Sequence, residues 1–479
     1  MRRSPWSTLV VLAIAQFMVV LDVTIVNVAL PHIQTDLKFS TNDLQWVISA
    51  YTLIFGGFLL LGGRAADLLG RRLVFVIGLA AFVLSSLAAG LASTAVELIL
   101  FRGVQGLGGA LLSASALTLL TVTFEHGRQR NIALGVWGGL AGLGGTMGAV
   151  IGGALVDSLS WRWVFLVNVP FGILVVAASF FILRESRATI EGKRTFDAAG
   201  ALLSTAGLLA IMLGFIRAAS EGWGSFQVIG LLTAGVALMV AFVIVESRSA
   251  APLIPLRLFR TRSLSYAVAA LGLNSAGFLS MFFLTAVYLQ DVRGLSALDA
   301  GLEFLPMGIA AIAGALLASR FVTMLGTRPV QVASAALSVA GLLLLSQVGA
   351  TDSYWTALLP GFILFGFGIT AIGVAAQVGA MSKVVNDDAG AASGVLNAGY
   401  QVGGALGLAV ITTLATTHIA DALKSGSTQV HAAVGGYDYG LLIAAIFAAA
   451  NIALALLSPS TKVTSTEAAE AAELDPVVV

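Results

Sequence analysis

The sequence predicts an all-α integral membrane protein of fourteen transmembrane helices: two pseudo-symmetric six-helix bundles plus two inserted helices. Three observations predict it. The first is composition. Of 479 residues, 58% are hydrophobic and only 10% charged, where soluble domains run at about 45–50% apolar and about 25% charged. The mean hydropathy of +0.97 points the same way. A soluble chain of this length would need more charge to cover its surface, so a soluble enzyme is excluded. The second observation is a series of apolar runs, each near the ~20 residues that one bilayer crossing requires. The third is an internal repeat, set out below. Lys and Arg total 25 against 24 Asp and Glu, a net charge of +1, so nothing marks a nucleic-acid partner. The absence of cysteine rules out disulfides, thiolate metal sites and cysteine nucleophiles.

In chain order the apolar stretches fall at 7–30, 45–63, 73–92, 96–121, 132–156 and 163–183. Two more lie at 198–218 and 226–245, and six follow at 264–289, 301–319, 329–348, 355–381, 392–417 and 439–458. The first follows Arg2 and Arg3 as a secretory leader would. It is too long for a leader's apolar core and carries Asp22 where cleavage would be expected, so it reads as an uncleaved span. Cytoplasmic loops collect Lys and Arg, which checks the count. With the N-terminus inside, only Lys38, Arg162, Arg217, Arg293 and Lys424 of the 25 basic residues fall outside, and Arg102 lies within a span. A missed span would scramble that alternation. Both termini are therefore expected on the cytoplasmic side of a cell (inner or plasma) membrane.

The loop after the second span reads GRAADLLGRR (Gly63–Arg72), and the loop after the tenth reads SRFVTMLGTR (Ser319–Arg328). Arg64, Gly70 and Arg72 match Arg320, Gly326 and Arg328 at an offset of 256 residues. This registers spans one to six with nine to fourteen. The expected division is an N-terminal bundle over 1–190, two inserted helices over 191–247, a cytoplasmic linker over 248–263, a C-terminal bundle over 264–459 and a disordered tail over 460–479. Two related bundles are a transporter design, with the substrate site between the halves.

Polar residues inside the spans mark candidate sites, because an intramembrane charge costs several kcal/mol unless it is paired or hydrated. Asp22 lies in the first span and Arg102 in the fourth. At ~1.5 Å per residue both fall in the outer half of the membrane, near one level, where an acid and a base neutralise each other. Gln105, Gly106 and Gly109 continue the Arg102 face. Glu97 and Glu303, near outer span ends, are secondary proton-coupling candidates, with a hydrated interfacial carboxylate as the plainer explanation. The fifth span is dense in glycine, and Gly144, Gly148 and Gly152 form a face that lets helices approach closely. A substrate cavity is expected to be lined by Gln16, Phe17, Asn274, Phe278, Gln377, Asn397 and Gln401. No phosphate-binding GxxxxGK[ST] loop occurs, and the four histidines have no metal or haem spacing. No cofactor or metal is expected, and coupling energy must come from an ion gradient.

These motifs resemble the major facilitator superfamily over nearly the whole chain, and within it the 14-span drug:proton antiporters. LDVTIVNVALP (Leu21–Pro31) is similar to that group's first-span motif. GRAADLLGRR matches the loop motif through Asp67, Gly70, Arg71 and Arg72, and Arg102, Gln105, Gly106 and Gly108 match the fourth-span motif. WRWVFLVNVPFG (Trp161–Gly172) is typical of the group. The fifth-span antiporter motif fits at Gly135, Gly144, Gly148, Gly152 and Gly153, but Ala149 stands where the motif has a helix-kinking proline. The resemblance implies proton coupling by Asp22 and Arg102, and an inward-side latch at Asp67, Gly70, Arg71 and Arg72. It implies export of hydrophobic or amphipathic drugs in exchange for protons by a monomer. The alternatives are a lipid or metabolite exporter on the same fold, or a proton-coupled uptake symporter. No mid-membrane acid besides Asp22 stands out, so neutral or singly charged substrates are favoured.

Overall fold

Every apolar stretch forms helix in the computed structural model of the protein, which describes residues 4–39, 44, 46–124, 128–186, 198–249, 252, 254, 256–381 and 389–459. The first half comprises α1 (Pro5–Leu37), α2 (Trp46–Leu69), α3 (Arg71–Gly90), α4 (Ala95–Thr123), α5 (Arg128–Ser158), the short α6 (Trp163–Leu166) and α7 (Asn168–Ile182). Then come α8 (Ala198–Glu221) and α9 (Phe226–Arg248), followed by a single 3-10 turn at Leu256–Arg260. The second half comprises α10 (Arg262–Val287), α11 (Ala297–Glu303), α12 (Leu305–Leu325), α13 (Thr327–Leu345), α14 (Leu359–Met381), α15 (Ala389–Lys424) and α16 (Gln429–Leu457). No strand occurs among the described residues. Eleven helical segments there are long and apolar enough to cross a membrane, and α2 and α8 add shorter apolar stretches at Trp46–Leu59 and Ala199–Phe215.

Local chemistry sets the helix ends. Pro5 occupies the first turn of α1, where its missing N–H costs nothing, and the Ser4 side chain accepts from the Trp6 N–H. The helix runs on to Leu37 with Pro31 inside it, and stops only where Lys38 turns left-handed at φ 55. Thr35 braces the stretch after the proline, its hydroxyl donating to the Pro31 and His32 carbonyls at 3.3 and 3.0 Å. The two loops of the repeat turn alike. Gly70 opens α3 at φ +122 and Gly326 opens α13 at φ +89, both in the region that disfavours a side chain.

Packing repeats between the halves. α1 packs on α5, α2 on α4, and α3 on both α4 and α7; likewise α10 packs on α15, α12 on α14, and α13 on both α14 and α16. Arg72 donates to the Phe180 carbonyl near the end of α7 (3.1 Å), and Arg328 donates to the Ser458 carbonyl at the end of α16 (2.5 Å). The loop repeat is therefore a repeat of tertiary contacts. The halves meet where α2 touches α15 and where α5 touches α11 and α12. On the predicted outer side one apolar core, with Ile25 and Leu30 of α1 against Phe282, Phe304 and Phe362, joins them. Two further cores follow, one mainly of the first half around Leu12, Phe75 and Phe124 but reaching Ala398 of α15, and another around Leu264 and Leu396 that takes in Phe242 of α9. The inserted α8 lies along the α2–α15 seam. The Thr205 hydroxyl donates to the Gly57 carbonyl of α2 at 2.7 Å, and Thr413 of α15 donates to the Phe215 carbonyl of α8 at 3.1 Å.

Candidate functional site

Asp22 and Arg102 meet. The Arg102 Nη1 lies 2.5 Å from Asp22 Oδ2, with the two side chains 1% and 0% exposed. Both facts follow from how α1 and α4 sit in the bundle. α5 presses on α1 through its small-residue face, where a side chain at Gly148 would collide with Thr24 and one at Gly152 with Ile25. The Thr24 hydroxyl donates to the Gly144 carbonyl at 3.1 Å. That clamp turns the next helical face of α1, bearing Asp22, towards α4.

The guanidinium is held from four directions. Its Nε donates to the Val47 carbonyl at 2.9 Å and its Nη1 to Gln105 Oε1 at 2.7 Å. The Tyr51 ring lies against it, centroid 4.3 Å from the carbon, and Phe165 lies at 5.7 Å. Such cation–π contacts strengthen when water is excluded. The carboxylate is equally enclosed: Gln105 Nε2 donates to Asp22 Oδ1 at 2.8 Å and Asn168 Nδ2 at 3.2 Å. Ser86 Oγ accepts from both amides, at 2.5 and 3.3 Å. Five helices thus contribute to one buried polar cluster in an apolar surround. A buried pair with its remaining polar positions filled is stable, whereas loss of one partner strands the other.

The other expected site residues separate from this cluster. Glu97 is part-exposed, and its carboxylate accepts from the Ser93 N–H, the Ser93 hydroxyl and the Thr94 N–H at 2.9, 3.0 and 3.3 Å. With Thr94 it forms a capping box at the start of α4. Glu303 is half-buried at the end of α11, and its backbone carbonyl accepts from the Tyr354 hydroxyl at 2.9 Å. No described hydrogen bond or ion pair joins either residue to Asp22. In the loop motif, the Glu185 carboxylate caps α3, accepting from the Arg72 and Leu73 N–H groups at 3.2 Å each. The Arg71 N–H donates to the Ser186 carbonyl at 3.0 Å. A Cβ on Gly70 would lie 2.7 Å from Glu185 Oε1, so any side chain there would displace this carboxylate, and the positive φ by itself favours glycine. The Asp67 side chain and the surroundings of Gly135 and Ala149 lie outside the described residues. Gly153 sits against Ala297 and Leu298, at the junction of the two halves.

Of the expected cavity residues, Gln16 and Asn274 are buried and engaged. Gln16 Oε1 accepts from the Ser113 hydroxyl at 2.9 Å, and Asn274 Nδ2 donates to the Ile369 carbonyl at 3.0 Å. Asn397 and Gln401 are part-exposed on α15, Gln377 is exposed on α14, and Phe17 and Phe278 flank the shared core. Sequence reasoning missed Tyr51, Ser86, Asn168 and Glu185. Asn168 alone carried a usable signal, as the polar residue of WRWVFLVNVPFG. The start of that motif has a separate task, because the Trp161 indole and Arg162 both bind Asp36 at the end of α1, at 2.8 and 2.6 Å.

The chain is similar to known membrane transporters. The profile of the Major Facilitator Superfamily matches residues 12–408. The puromycin resistance protein of Streptomyces alboniger is 39% identical over 446 residues, covering 92% of this chain and 88% of its own. The cephamycin export protein of Amycolatopsis lactamdurans is 39% identical over 410 residues, covering 85% and 84%. A bacterial homologue of the human lysosomal transporter Spinster, solved inward-facing and unoccupied, superposes with a TM-score of 0.65 at 17% identity, covering 96% of this chain and 97% of that one. The chain therefore belongs to the Major Facilitator Superfamily and is a multi-span membrane transporter rather than an enzyme.

Proposed function

We propose that this protein exports amphipathic small molecules, antibiotics among them, across the cell membrane in exchange for protons. The observation that carries the reading is the fully buried Asp22–Arg102 pair, on a chain whose relatives are named for antibiotic resistance and export. In this reading the chain crosses the membrane fourteen times with both termini cytoplasmic. Bundles over 1–190 and 264–459 rock about a central substrate path, with 191–247 inserted between them, 248–263 as linker and 460–479 as tail.

A proton reaching Asp22 discharges the carboxylate and releases its hold on Arg102. Because an arginine keeps its charge, the guanidinium tunes the acid without carrying the proton. The acid is the carrier. Asp67, Gly70, Arg71 and Arg72 act at the inner end as a latch between bundles and do not touch substrate. Gln16, Phe17, Asn274, Phe278, Gln377, Asn397 and Gln401 line the path, whose single intramembrane acid suits neutral or singly charged cargo. The transporter works as a monomer.

The test is Asp22→Asn, which keeps the shape and removes the titrating group. Proteoliposomes holding the variant should lose gradient-driven export of a drug panel while the protein remains monodisperse and keeps its unfolding temperature. Active export at the wild-type rate would overturn the assignment. A parallel panel of lipids and metabolites decides the cargo.

A further inference from the structure

The shell around Asp22 consists entirely of donors: Arg102 Nη1 on Oδ2, and Gln105 Nε2 and Asn168 Nδ2 on Oδ1. That suits an ionised acid. Once protonated, the carboxyl gains an O–H that needs an acceptor, and a buried donor left unpaired is costly. Arg102 has no acceptor to offer. Gln105 has one, but its Oε1 already takes the Arg102 Nη1 proton at 2.7 Å. Turning that amide over would set N–H against N–H. Asn168 is under no such constraint. Its Nδ2 donates to Asp22 and Ser86, and unlike Gln105 its carbonyl oxygen takes no hydrogen bond from Arg102, which donates to Val47, Asp22 and Gln105.

We infer that Asn168 is a positioning residue whose amide turns over when Asp22 takes a proton, donating to the carboxylate in one state and accepting from the carboxylic acid in the other. The inference rests on the reading of Asp22 as proton carrier. The proton comes from the aqueous phase and binds Oδ1. Asn168 Oδ1 then accepts the new O–H, and the Ser86 hydroxyl, relieved of one amide donor, keeps that of Gln105. No covalent bond other than O–H forms. The titratable groups facing Asp22 are Arg102 from α4 and Tyr51 from α2. The interiors of α3, α5 and α7 carry none, α10 carries only Arg262 and Tyr266, near its far end, and α11, which also touches α1, carries Asp299 and Glu303. Asn168 is thus the neighbour whose polarity can reverse without a charge being moved.

The experiment is acid-minus-base difference infrared spectroscopy of the full chain in lipid, with asparagine carrying a ¹³C side-chain carbonyl. Wild type should show an asparagine amide band that shifts with the same pH midpoint as a carboxylic C=O band. Both should vanish in Asp22→Asn. In Asn168→Leu the asparagine band should vanish while the carboxylic band persists at higher wavenumber, because the O–H has lost its acceptor. If Asn168→Leu does not fold, Asn168→Gln keeps an amide but lacks the label, and removes the asparagine band equally. A carboxylic band that titrates in wild type without any asparagine shift overturns the inference, as does an asparagine shift that survives at full size in both Asn168 variants. A carboxylic band that persists in Asp22→Asn overturns the proton-carrier reading instead.

Discussion

Arg102 shows why a single substitution can separate structure from coupling. It is bound to Asp22, Gln105 and Val47 and lies against Tyr51, so truncation to alanine would leave a buried carboxylate without its counter-charge. Breaking such a pair typically costs about 3–5 kcal/mol, and Arg102→Ala is expected to unfold more readily than wild type. Arg102→Gln keeps a donor and is the informative variant. Loss of the cation changes the charge beside Asp22, so the pH–transport curve in proteoliposomes should shift relative to wild type. Arg102→Lys retains charge without the planar fork and should fall between. An unshifted curve for Arg102→Gln, with lowered activity alone, would leave the residue a brace for α4.

At the scale of helices, contact between α1 and α5 decides whether the acid is presented at all. Gly148 has no room for a Cβ beside Thr24, and overpacking a close contact costs about 1–3 kcal/mol. Gly148→Leu should lower the unfolding temperature in detergent and cut export, whereas Gly230→Ala, in the open on α9 with nothing near its Cβ position, should change neither. A wild-type melting curve for Gly148→Leu would show that the small-residue face is not a packing requirement. The inserted pair makes its own prediction. α8 is tied to the first half through Thr205 and to the second through Thr413, and each bond is worth about 0.5–1.5 kcal/mol. Replacing both threonines with valine should speed amide hydrogen exchange in α8 more than in α4. Equal exchange in the double variant and wild type would mean the seam is held by apolar packing alone.

Across the whole molecule, closure on the predicted outer side rests on α5 meeting α11, where Asp157 Oδ2 accepts the Leu298 N–H at 3.1 Å. The chain contains no cysteine, so Asp157→Cys combined with Leu298→Cys provides the only thiols. If transport requires this junction to open, joining the two with a short thiol cross-linker should stop export, and a cleavable linker should restore it on reduction. Continued export by a fully cross-linked sample would exclude opening there. The latch gives a complementary expectation. Asp67→Asn should slow turnover several-fold while equilibrium substrate binding stays near wild type; lost affinity with normal turnover of bound substrate would place Asp67 on the substrate path.

How much was legible depended on what each feature requires. Apolar length is a property of the chain against water and lipid, so the helices and the loop repeat could be read without a fold. The Asp22–Arg102 encounter could be read as well, because two opposite charges at one depth in hydrocarbon have strong reason to meet. The end of α1 could not: proline usually closes a helix, and only packing and the Trp161–Asp36 contact carry this one past Pro31. Ser86 and Asn168 were hard to single out for another reason. A serine or an asparagine is cheap enough in a span to have many structural uses, and their convergence on one carboxylate comes from the side-by-side placement of α1, α3, α4 and α7. Glu97 reads as a candidate acid by its position, and becomes a helix cap only once Ser93 and Thr94 are seen around it. The sequence by itself determined which segments form long apolar helices and which charges on them need neutralising, since desolvation acts on each residue alone. Which neighbours neutralise them, and with donors rather than acceptors, was decided by the tertiary structure, since hydrogen bonds depend on direction and on distances of a few Å between helices far apart in the chain.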